Sequence, residues 1–291
     1  MTSSKRIECR LVVNQGGESC NLLAEASGLP KGRIKVAMAK GAVWLNQSGK
    51  KERRLRKAKF RVVPGDRLQL CYDPDILALN PPRPLCLDWR EDYSLWYKPP
   101  WLLTQGSRYG DHCSLLYLAQ KEKPHTQFKL IHRLDREAAG LVVLAHHRQA
   151  AAALSELLKS GGMEKRYLAG VSTVAQIPGD GLVLDTPLDG KASRTEIIRA
   201  VDMDSGGGSF LDIRLHSGRQ HQIRRHLSQW GHPIMGDPQY GDKKSSKSNN
   251  PMMLWAWGLR FECPLSKVNR RYTLPAKQWP SFLPAELRPS W

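Results

Sequence analysis

Short runs of alternating apolar and polar residues fill the first 75 positions and predict short strands and helices. Asn21–Ser27 and Lys31–Lys40 have helical spacing, and the intervening Gly28-Leu29-Pro30 is typical of a break between two helices. Strands are predicted at Ile7–Val13, Ala42–Asn46, Phe60–Val63 and Leu68–Tyr72. We therefore expect residues 1–75 to form a small N-terminal α/β domain.

The segment from Asp73 to Trp89 has no clear apolar period and is rich in proline. Its prolines are Pro74, Pro81, Pro82 and Pro84. Proline-rich segments of this kind form semi-rigid spacers between domains. We therefore expect a linker at residues 76–90, with a second domain at residues 91–291.

The apolar runs of the second domain predict strands joined mostly by turns. Strands are predicted at Tyr93–Tyr97, Gly140–Ala145, Lys165–Val174, Ser193–Val201, Ser209–His216, Met253–Glu262 and Arg271–Leu274, and helices at Gln149–Leu158 and Arg219–Trp230. Residues 101–112 and 242–251 are expected to be surface loops. Alternation with one polar face favours antiparallel pairing. The predicted class is α+β, with a mixed, mostly antiparallel β-sheet and flanking helices.

The charge balance points to a polyanionic partner. The chain has 45 Lys and Arg against 27 Asp and Glu, a formal net charge of +18. No window approaches the length of an apolar membrane helix, and no amphipathic helix has a basic face beside a bulky apolar one. The six cysteines are scattered singly, and the first residues lack the apolar core of a signal peptide. We expect a cytoplasmic protein that binds nucleic acid and not membrane.

Basic residues are densest between positions 31 and 67, where only Glu52 and Asp66 are acidic. Two helices, then KGAVWLN, then a strand ending in VVPGDRL resemble the ribosomal protein S-four-type RNA-binding domain over about residues 20–73. The resemblance implies a basic face for structured RNA, in agreement with the charge. The residues expected to bind RNA there are Lys31, Arg33, Lys35, Arg53, Arg54, Arg56 and Lys57.

The stretch Ile131–His147, IHRLDREAAGLVVLAHH, places the carboxylate of Asp135 among cations and just before a strand of apolar residues. Taken alone, this carboxylate would be explained by a turn cap or by an ion pair with Arg133 or Arg136. The rest of the chain provides a different context for it.

Four segments, in order, are very similar to the signature segments of the A-type RNA pseudouridine synthases. They are EDYSLWYKPPWLL, IHRLDREAAGLVVLA, MEKRYLAGV and LHSGRQHQIRRHLSQWGHPIMGDPQYG. The resemblance covers about residues 90–275 and implies the pseudouridine synthase fold. It implies that Asp135 is the essential aspartate, that Tyr167 lies near the target base, and that Arg224 pairs with the aspartate. It also implies that Arg133 helps to extrude or replace the target nucleotide.

These implied roles agree with the chemistry of converting uridine to pseudouridine. The reaction is an isomerisation without redox change or net hydrolysis, and the chain has no phosphate-binding glycine loop and no H-E-x-x-H pair, so we expect no metal and no small-molecule cofactor. Flipping the base out of its stack costs a few kcal/mol, which Arg133 and Tyr167 are suited to offset. Asp135 either attacks the ribose or base as a nucleophile or removes a proton from the sugar.

Two departures from the family pattern stand close to these residues. Ala138-Ala139 replaces a pair of small hydroxyl residues, and HSGR replaces the more common TGR. Both leave open a branch of the family with an unusual substrate.

Two other classes of protein compete with an RNA isomerase. A catalytically silent RNA-binding or ribosome-assembly protein on the same fold would gain nothing from Asp135 among cations. A metal-dependent RNA hydrolase is disfavoured because acidic and histidine ligands do not cluster in the sequence. Ribosomal and transfer RNA remain equally possible substrates, and nothing in the sequence requires more than a monomer.

Overall fold

The computed structural model describes residues 6–172, 176–178, 181–203, 207–241, 251–281, 283, 288–289 and 291. Most of the loop expected at residues 242–251 lies outside these residues. The chain divides into two compact units, Met1–Pro81 with Gln105–Lys121, and Pro82–Thr104 with Glu122–Trp291. Residues 105–121, which the sequence placed in the second domain, therefore belong to the N-terminal unit.

The first unit is a small sheet covered by helices. Its elements are β1 (Ile7–Val12), β2 (Gly17–Glu18), α1 (Ser19–Ser27), α2 (Lys31–Ala39), β3 (Val43–Asn46), β4 (Arg53–Arg54), β5 (Arg61–Val62), β6 (Arg67–Tyr72), α3 (Pro74–Ala78) and α4 (Leu115–Glu122). The sheet has the strand order β1-β6-β3-β4, and β2 pairs separately with β5. Leu23, Ile34 and Met38 from the two helices are fully buried in one core with Leu45 and Leu70 from the strands. The predicted pair of helices is confirmed.

The second unit is built on one large sheet. Its elements are β7 (Leu85–Trp89), β8 (Tyr93–Lys98), β9 (Lys129–Leu130), β10 (Ala139–Ala145), α5 (Arg148–Lys159), β11 (Glu164–Val171), β12 (Leu182–Leu184), β13 (Thr195–Asp202), β14 (Ser209–Leu215), α6 (Gln222–Gln229), β15 (Leu254–Glu262) and β16 (Asn269–Thr273). The strand order is β12-β13-β14-β11-β15-β10-β8-β7, with β16 paired to β15 and β9 to β10. Among the described strands, only β10 and β15 pair in parallel. The predicted mixed, mostly antiparallel sheet is confirmed.

The proline-rich segment is not the irregular linker that we expected. Asp73 caps α3 by accepting hydrogen bonds from the N–H groups of Asp75 and Ile76, and residues 85–89 form β7 at the edge of the large sheet. The prolines end at Pro84, so the following residues have N–H groups free to pair with β8. Edge position explains the weak pattern, because every residue of β7 is at least partly exposed.

The two faces of the large sheet have different functions in the fold. One face carries Leu141, Val143 and Leu168, which are buried in one cluster with Ala150 and Leu154 of α5. On β11, Tyr167 points away from Leu168, because successive side chains of a strand alternate between faces. Helix α6 packs against β13 and buries one side of its turns. Tyr167 and Arg224 are thus held by a strand and a helix and not by mobile loops.

Glycine at position 140 allows the parallel contact that anchors the start of β10. Gly140 pairs with Ala256 of β15 and has a φ of +127°. A Cβ atom there would lie 2.3 Å from the carbonyl oxygen of Ala256, so any other residue would separate the two strands. The start of β10 is consequently fixed, and with it the end of the segment that carries Asp135.

Candidate active site

Asp135 lies in the irregular segment between β9 and β10, and both of its neighbours in the chain are fastened by buried side chains. Thr104 Oγ1 donates to the carbonyl of Leu134 at 2.8 Å and accepts from the N–H of Leu134 at 3.1 Å. Lys98 Nζ donates to the carbonyl of Arg136 at 3.3 Å. The peptide units on either side of Asp135 are therefore held, although its own side chain remains 20% exposed.

Lys98 is a fully buried lysine whose three donors all have acceptors. Besides Arg136, its Nζ donates to the carbonyls of Leu102 at 2.7 Å and Pro99 at 3.1 Å. Burial lowers the pKa of Lys98 to about 7, against the opposing charges of Glu137 and Asp135. This lysine joins the end of β8 to the segment that carries Asp135.

Arg224, on α6, donates hydrogen bonds to two carboxylates, and its Nη1 lies 3.8 Å from a third, Glu137 Oε2. Its Nη1 donates to Asp135 Oδ2 at 3.0 Å, which is the pairing that the resemblance implied. Its Nε and Nη2 donate to Asp237 Oδ2 and Oδ1 at 2.7 and 2.8 Å. Asp237 also accepts from the backbone N–H groups of Gln239 at 2.9 Å and Tyr240 at 3.0 Å. A planar fork that reaches two carboxylates explains why arginine and not lysine occupies this position.

The electrostatics of this group keep Arg224 and Asp237 charged. Burial alone would raise the pKa of Asp237, but the Arg224 guanidinium and the two N–H groups hold it below the usual range. Burial would likewise lower the pKa of Arg224, but the hydrogen bonds and charges of Asp237 and Asp135 raise it. The two opposite effects on each group show that Arg224 and Asp237 stabilise each other's charge.

Tyr167 projects from the middle of β11, between β14 and β15. The residue is only 6% exposed. Burial and the charge of Asp135 both raise the pKa of Tyr167, so its hydroxyl keeps its proton at physiological pH. No described residue exchanges a hydrogen bond with this hydroxyl, which leaves it available to a ligand.

His221 is a further residue of the site, and sequence reasoning gave it no role there. It precedes α6 with a left-handed backbone, φ 51° and ψ 31°. Its Nδ1 lies 3.2 Å from the hydroxyl of Tyr240, and its Nε2 lies 3.9 Å from Asp135 Oδ1. The nearby His216 and His226 contact Glu196 and Thr195 respectively, so the three histidines have separate partners.

The described residues contain no group of three or more His, Cys, Asp or Glu side chains that could hold a metal ion. Membrane-spanning helices are also missing from the part of the chain that the structure describes.

The basic residues expected to bind RNA fall into two groups. Arg133, in the second unit, and Lys31, Arg33, Lys35, Arg53 and Lys57, in the first, are exposed. Arg54 and Arg56 instead pair with Asp111, at 3.1 and 2.6 Å. Arg54 Nη2 also donates to the carbonyl of Ser107 at 2.7 Å. These two arginines connect residues 105–121 to the rest of the N-terminal unit.

Other residues of the site escaped sequence reasoning because their importance depends on partners distant in the chain. Asp237 stands inside the quoted segment GHPIMGDPQYG, but no local pattern marks it as the counter-ion of Arg224. Lys98 and Thr104 act through backbone carbonyl and N–H groups, which every residue has. The only available signal was a lysine at the end of an apolar strand.

Comparison with known proteins gives consistent results. The family model described as RNA pseudouridylate synthase matches residues 92–229. An "Uncharacterized RNA pseudouridine synthase" of Chloroflexus aurantiacus is 35% identical over 170 residues, which are 55% of this chain and 51% of the relative. The chain thus spans about half the length of that relative.

A second relative matches over a longer range. The "Ribosomal large subunit pseudouridine synthase C" of Haemophilus influenzae is 28% identical over 277 residues, 86% of this chain and 85% of that protein. Among solved structures, "Human RNA Pseudouridylate Synthase Domain Containing 1" has a TM-score of 0.56 at 21% identity, covering 72% of this chain and 89% of that chain. At this identity the structural likeness establishes the fold alone.

Proposed function

We propose that this protein is an RNA pseudouridine synthase that isomerises specific uridines in structured RNA, because residues 92–229 match the family model described as RNA pseudouridylate synthase. The observation that carries the proposal is the contact of Asp135 with Arg224 at 3.0 Å, in a site where the buried Tyr167 keeps a protonated hydroxyl. A carboxylate, a guanidinium paired with it and an aromatic ring are the groups that the resemblance assigns to this reaction.

Asp135 is the proposed catalytic residue. The reaction breaks the bond between the ribose and N1 of uracil, rotates the base and joins the ribose to C5; C5 then loses its proton and N1 gains one, so that no atom is added or removed. Asp135 either forms a transient bond to the sugar or base, or takes a proton from the sugar so that the base can detach. In both routes Arg224 holds the carboxylate in place through its hydrogen bond to Asp135 Oδ2. Atoms balance without any metal, nicotinamide or other cofactor, so none is proposed.

The remaining residues of the site bind and orient the nucleotide. The ring of Tyr167 provides an aromatic surface for the flipped base. Arg133, exposed two residues before Asp135, is placed to occupy the position that the base leaves. His221, 3.9 Å from Asp135, closes another side of the carboxylate. The clamps of Thr104 and Lys98 keep Asp135 in one orientation while the base rotates.

Recruitment of the RNA is proposed for the N-terminal unit. Lys31, Arg33, Lys35, Arg53 and Lys57 are exposed, as an S-four-type RNA-binding domain requires, and the chain carries a net charge of +18. Arg54 and Arg56 would support this surface from inside while paired with Asp111. The substrate would be ribosomal or transfer RNA, and the protein would act in the cytoplasm as a monomer.

Mapping of pseudouridine in total cellular RNA, with and without the active gene, tests the proposal. We expect at least one uridine to lose its modification in the deletion strain and to regain it when purified protein is added to that RNA. A map that is identical in both strains, with no product on ribosomal or transfer RNA in vitro, would support a silent RNA-binding protein instead.

A further inference from the structure

The second unit contains two buried lysines with opposite surroundings. Lys98 donates to three carbonyls, as described above. Lys165, on β11, is only 7% exposed. Among the described residues its Nζ has no hydrogen-bond acceptor and no carboxylate within ion-pairing distance. Burying an ammonium without a partner is costly, so a side chain retained in this state needs an explanation outside the fold.

Lys165 faces the same side of the sheet as Tyr167. The two residues are separated by one position on β11, which places their side chains on one face about 7 Å apart along the strand. The flanking Glu164 and Arg166 face the opposite side, where Arg166 Nη2 contacts Asp212 Oδ2 at 2.5 Å. The carboxylates of Glu164 and Asp212 therefore lie on the face opposite Lys165.

The ammonium of Lys165 points toward an exposed turn that lacks a side chain. Residues 216–219 lead into α6, and Gly218 is exposed. An ideal Cβ atom at Gly218 would have Lys165 Nζ as its only described neighbour within 4 Å, at 4.0 Å. A glycine here leaves the approach to the ammonium free of a side chain.

Among the described residues, no carboxylate forms an ion pair with Lys165 or affects its pKa. Burial is the only cause that lowers its pKa, to about 8. The nearby His132 is neutral at physiological pH, because burial and the charge of Lys165 lower its pKa to about 4. At physiological pH the Lys165 side chain is thus mostly protonated, and its ammonium group is held in place before an anion binds.

We propose that Lys165 binds a backbone phosphate of the RNA, next to the nucleotide whose base lies at Tyr167. The identity of the anion as RNA rests on the proposed function, whereas the presence of an anion site rests on the geometry of Lys165 and Gly218. A phosphate provides the missing acceptor, and lysine is suited to it as a compact point charge. Because the contact is to the backbone, it would position the strand without reading sequence.

Replacement of this lysine by methionine tests the proposal. Lys165→Met should bind a fluorescent oligouridylate about tenfold more weakly than the wild type in low salt. The slope of log affinity against log salt should fall by about 0.7, the loss of one phosphate contact on a single strand. Lys165→Arg should keep most of the slope, since it keeps the charge.

The matched control is Lys159→Met, because Lys159 is exposed and lies 3.8 Å from Glu156. It should keep the affinity and the slope of the wild type. Lys165→Met should also unfold at the same temperature as the wild type or higher, since it removes an unpaired buried charge. The inference would be overturned if Lys165→Met were less stable than the wild type. It would also be overturned if Lys165→Met and the wild type had equal affinity and equal salt slope, or if neither protein bound the RNA.

The binding measurement separates this inference from the proposed function. If pseudouridine formation is absent but Lys165→Met alone weakens binding, the phosphate site stands and the isomerase proposal fails. If pseudouridine forms and Lys165→Met binds like the wild type, the isomerase proposal stands and the phosphate site fails.

Discussion

Asp237 and Asp135 accept hydrogen bonds from different N–H groups of the same guanidinium, yet their surroundings differ. Asp237 is fully buried and accepts from Arg224 twice, at 2.7 and 2.8 Å, and from two backbone N–H groups. Asp135 is 20% exposed and accepts from Arg224 once, at 3.0 Å. All the acceptor capacity of Asp237 serves the fold, whereas Arg224 is the only side chain among the described residues that donates a hydrogen bond to Asp135.

The same contrast extends to the lysines of the second unit. Lys98 uses its three donors on carbonyls around the segment of Asp135, whereas no acceptor for Lys165 is found in the described residues. The site therefore has an anchoring half, Asp237, Lys98 and Thr104, whose polar groups are satisfied. Its open half, Asp135, Tyr167 and Lys165, keeps groups for a ligand. Substitutions in the two halves should have different consequences.

The largest expected effect comes from Asp135→Asn, in the open half. The amide keeps the shape of the carboxylate and can still accept from Arg224, but it provides neither a nucleophile nor a base. We expect pseudouridine formation to fall by at least about 10²- to 10⁴-fold, the range of a lost general base. RNA affinity and melting temperature should stay close to those of the wild type, as measured by fluorescence anisotropy and calorimetry.

The control for this change is Asp189→Asn, which removes an exposed carboxylate paired with Arg225, the next residue of α6. Its activity should equal that of the wild type. An Asp135→Asn protein with full activity would exclude Asp135 as the catalytic residue.

In the anchoring half, Asp237→Asn should act mainly on stability. The change leaves the buried guanidinium of Arg224 with a neutral partner in place of a bidentate ion pair. Breaking a buried pair in this way costs about 3–5 kcal/mol of unfolding free energy, measurable by urea denaturation. Asp189→Asn again serves as control, because its pair with Arg225 has the same bidentate form at the surface. Equal stability of the two variants would remove the distinction between the halves.

Sequence reasoning singled out Asp135 and Tyr167 of the open half, but neither Lys165 nor any residue of the anchoring half. Asp135, Tyr167 and Arg224 stand in segments with recognisable order, and the structure brings Asp135 and Arg224 into contact. Asp237 escaped notice because its role depends on where α6 and the following turn meet in space. A buried counter-ion 13 positions away from its arginine leaves no periodic pattern in the chain.

Like the site, the fold was predicted from the sequence only in part. Strands with a strong alternation, such as Ser209–Leu215, were located almost to the residue. The edge strand Leu85–Trp89 was missed because a strand that is partly exposed on both faces shows little alternation of apolar and polar residues. The preceding prolines also suggested a linker. The helix at Leu115–Glu122 was also missed. Residues 105–121 join the N-terminal unit through ion pairs of Asp111, and these pairs could not be predicted because the partners are far apart in the sequence.

Lys98→Met should have a smaller effect than Asp237→Asn. It removes the donors of three carbonyls in a fully buried place, while the methionine fills much of the same volume. Unsatisfied buried acceptors cost about 1–3 kcal/mol each, partly recovered by water or by relaxation, so we expect a loss of about 2–3 kcal/mol in unfolding free energy. Lys159→Met, at an exposed lysine, should be nearly neutral. If Lys98→Met has the same unfolding free energy as that control, the hydrogen bonds of Lys98 to the segment of Asp135 contribute nothing to stability.

The smallest expected effect concerns His132 and depends on pH. His132 Nε2 accepts a hydrogen bond from the N–H of Val143 at 3.1 Å, so folding favours the neutral ring. Burial and the charge of Lys165 lower its folded pKa to about 4, below its ordinary 6.5. Because the folded pKa is lowered, the stability gained from the neutral ring is fully present above about pH 6.5 and is lost as pH falls toward 4.

His132→Gln keeps an acceptor but does not titrate, so the effects of other acidic groups cancel in the difference between the wild type and this variant. The advantage of the wild type in unfolding free energy should therefore shrink by about 2 kcal/mol between pH 7 and pH 4. A constant difference across that range would show that the ring is not held in its neutral form, and that the positive charge of Lys165 does not reach it.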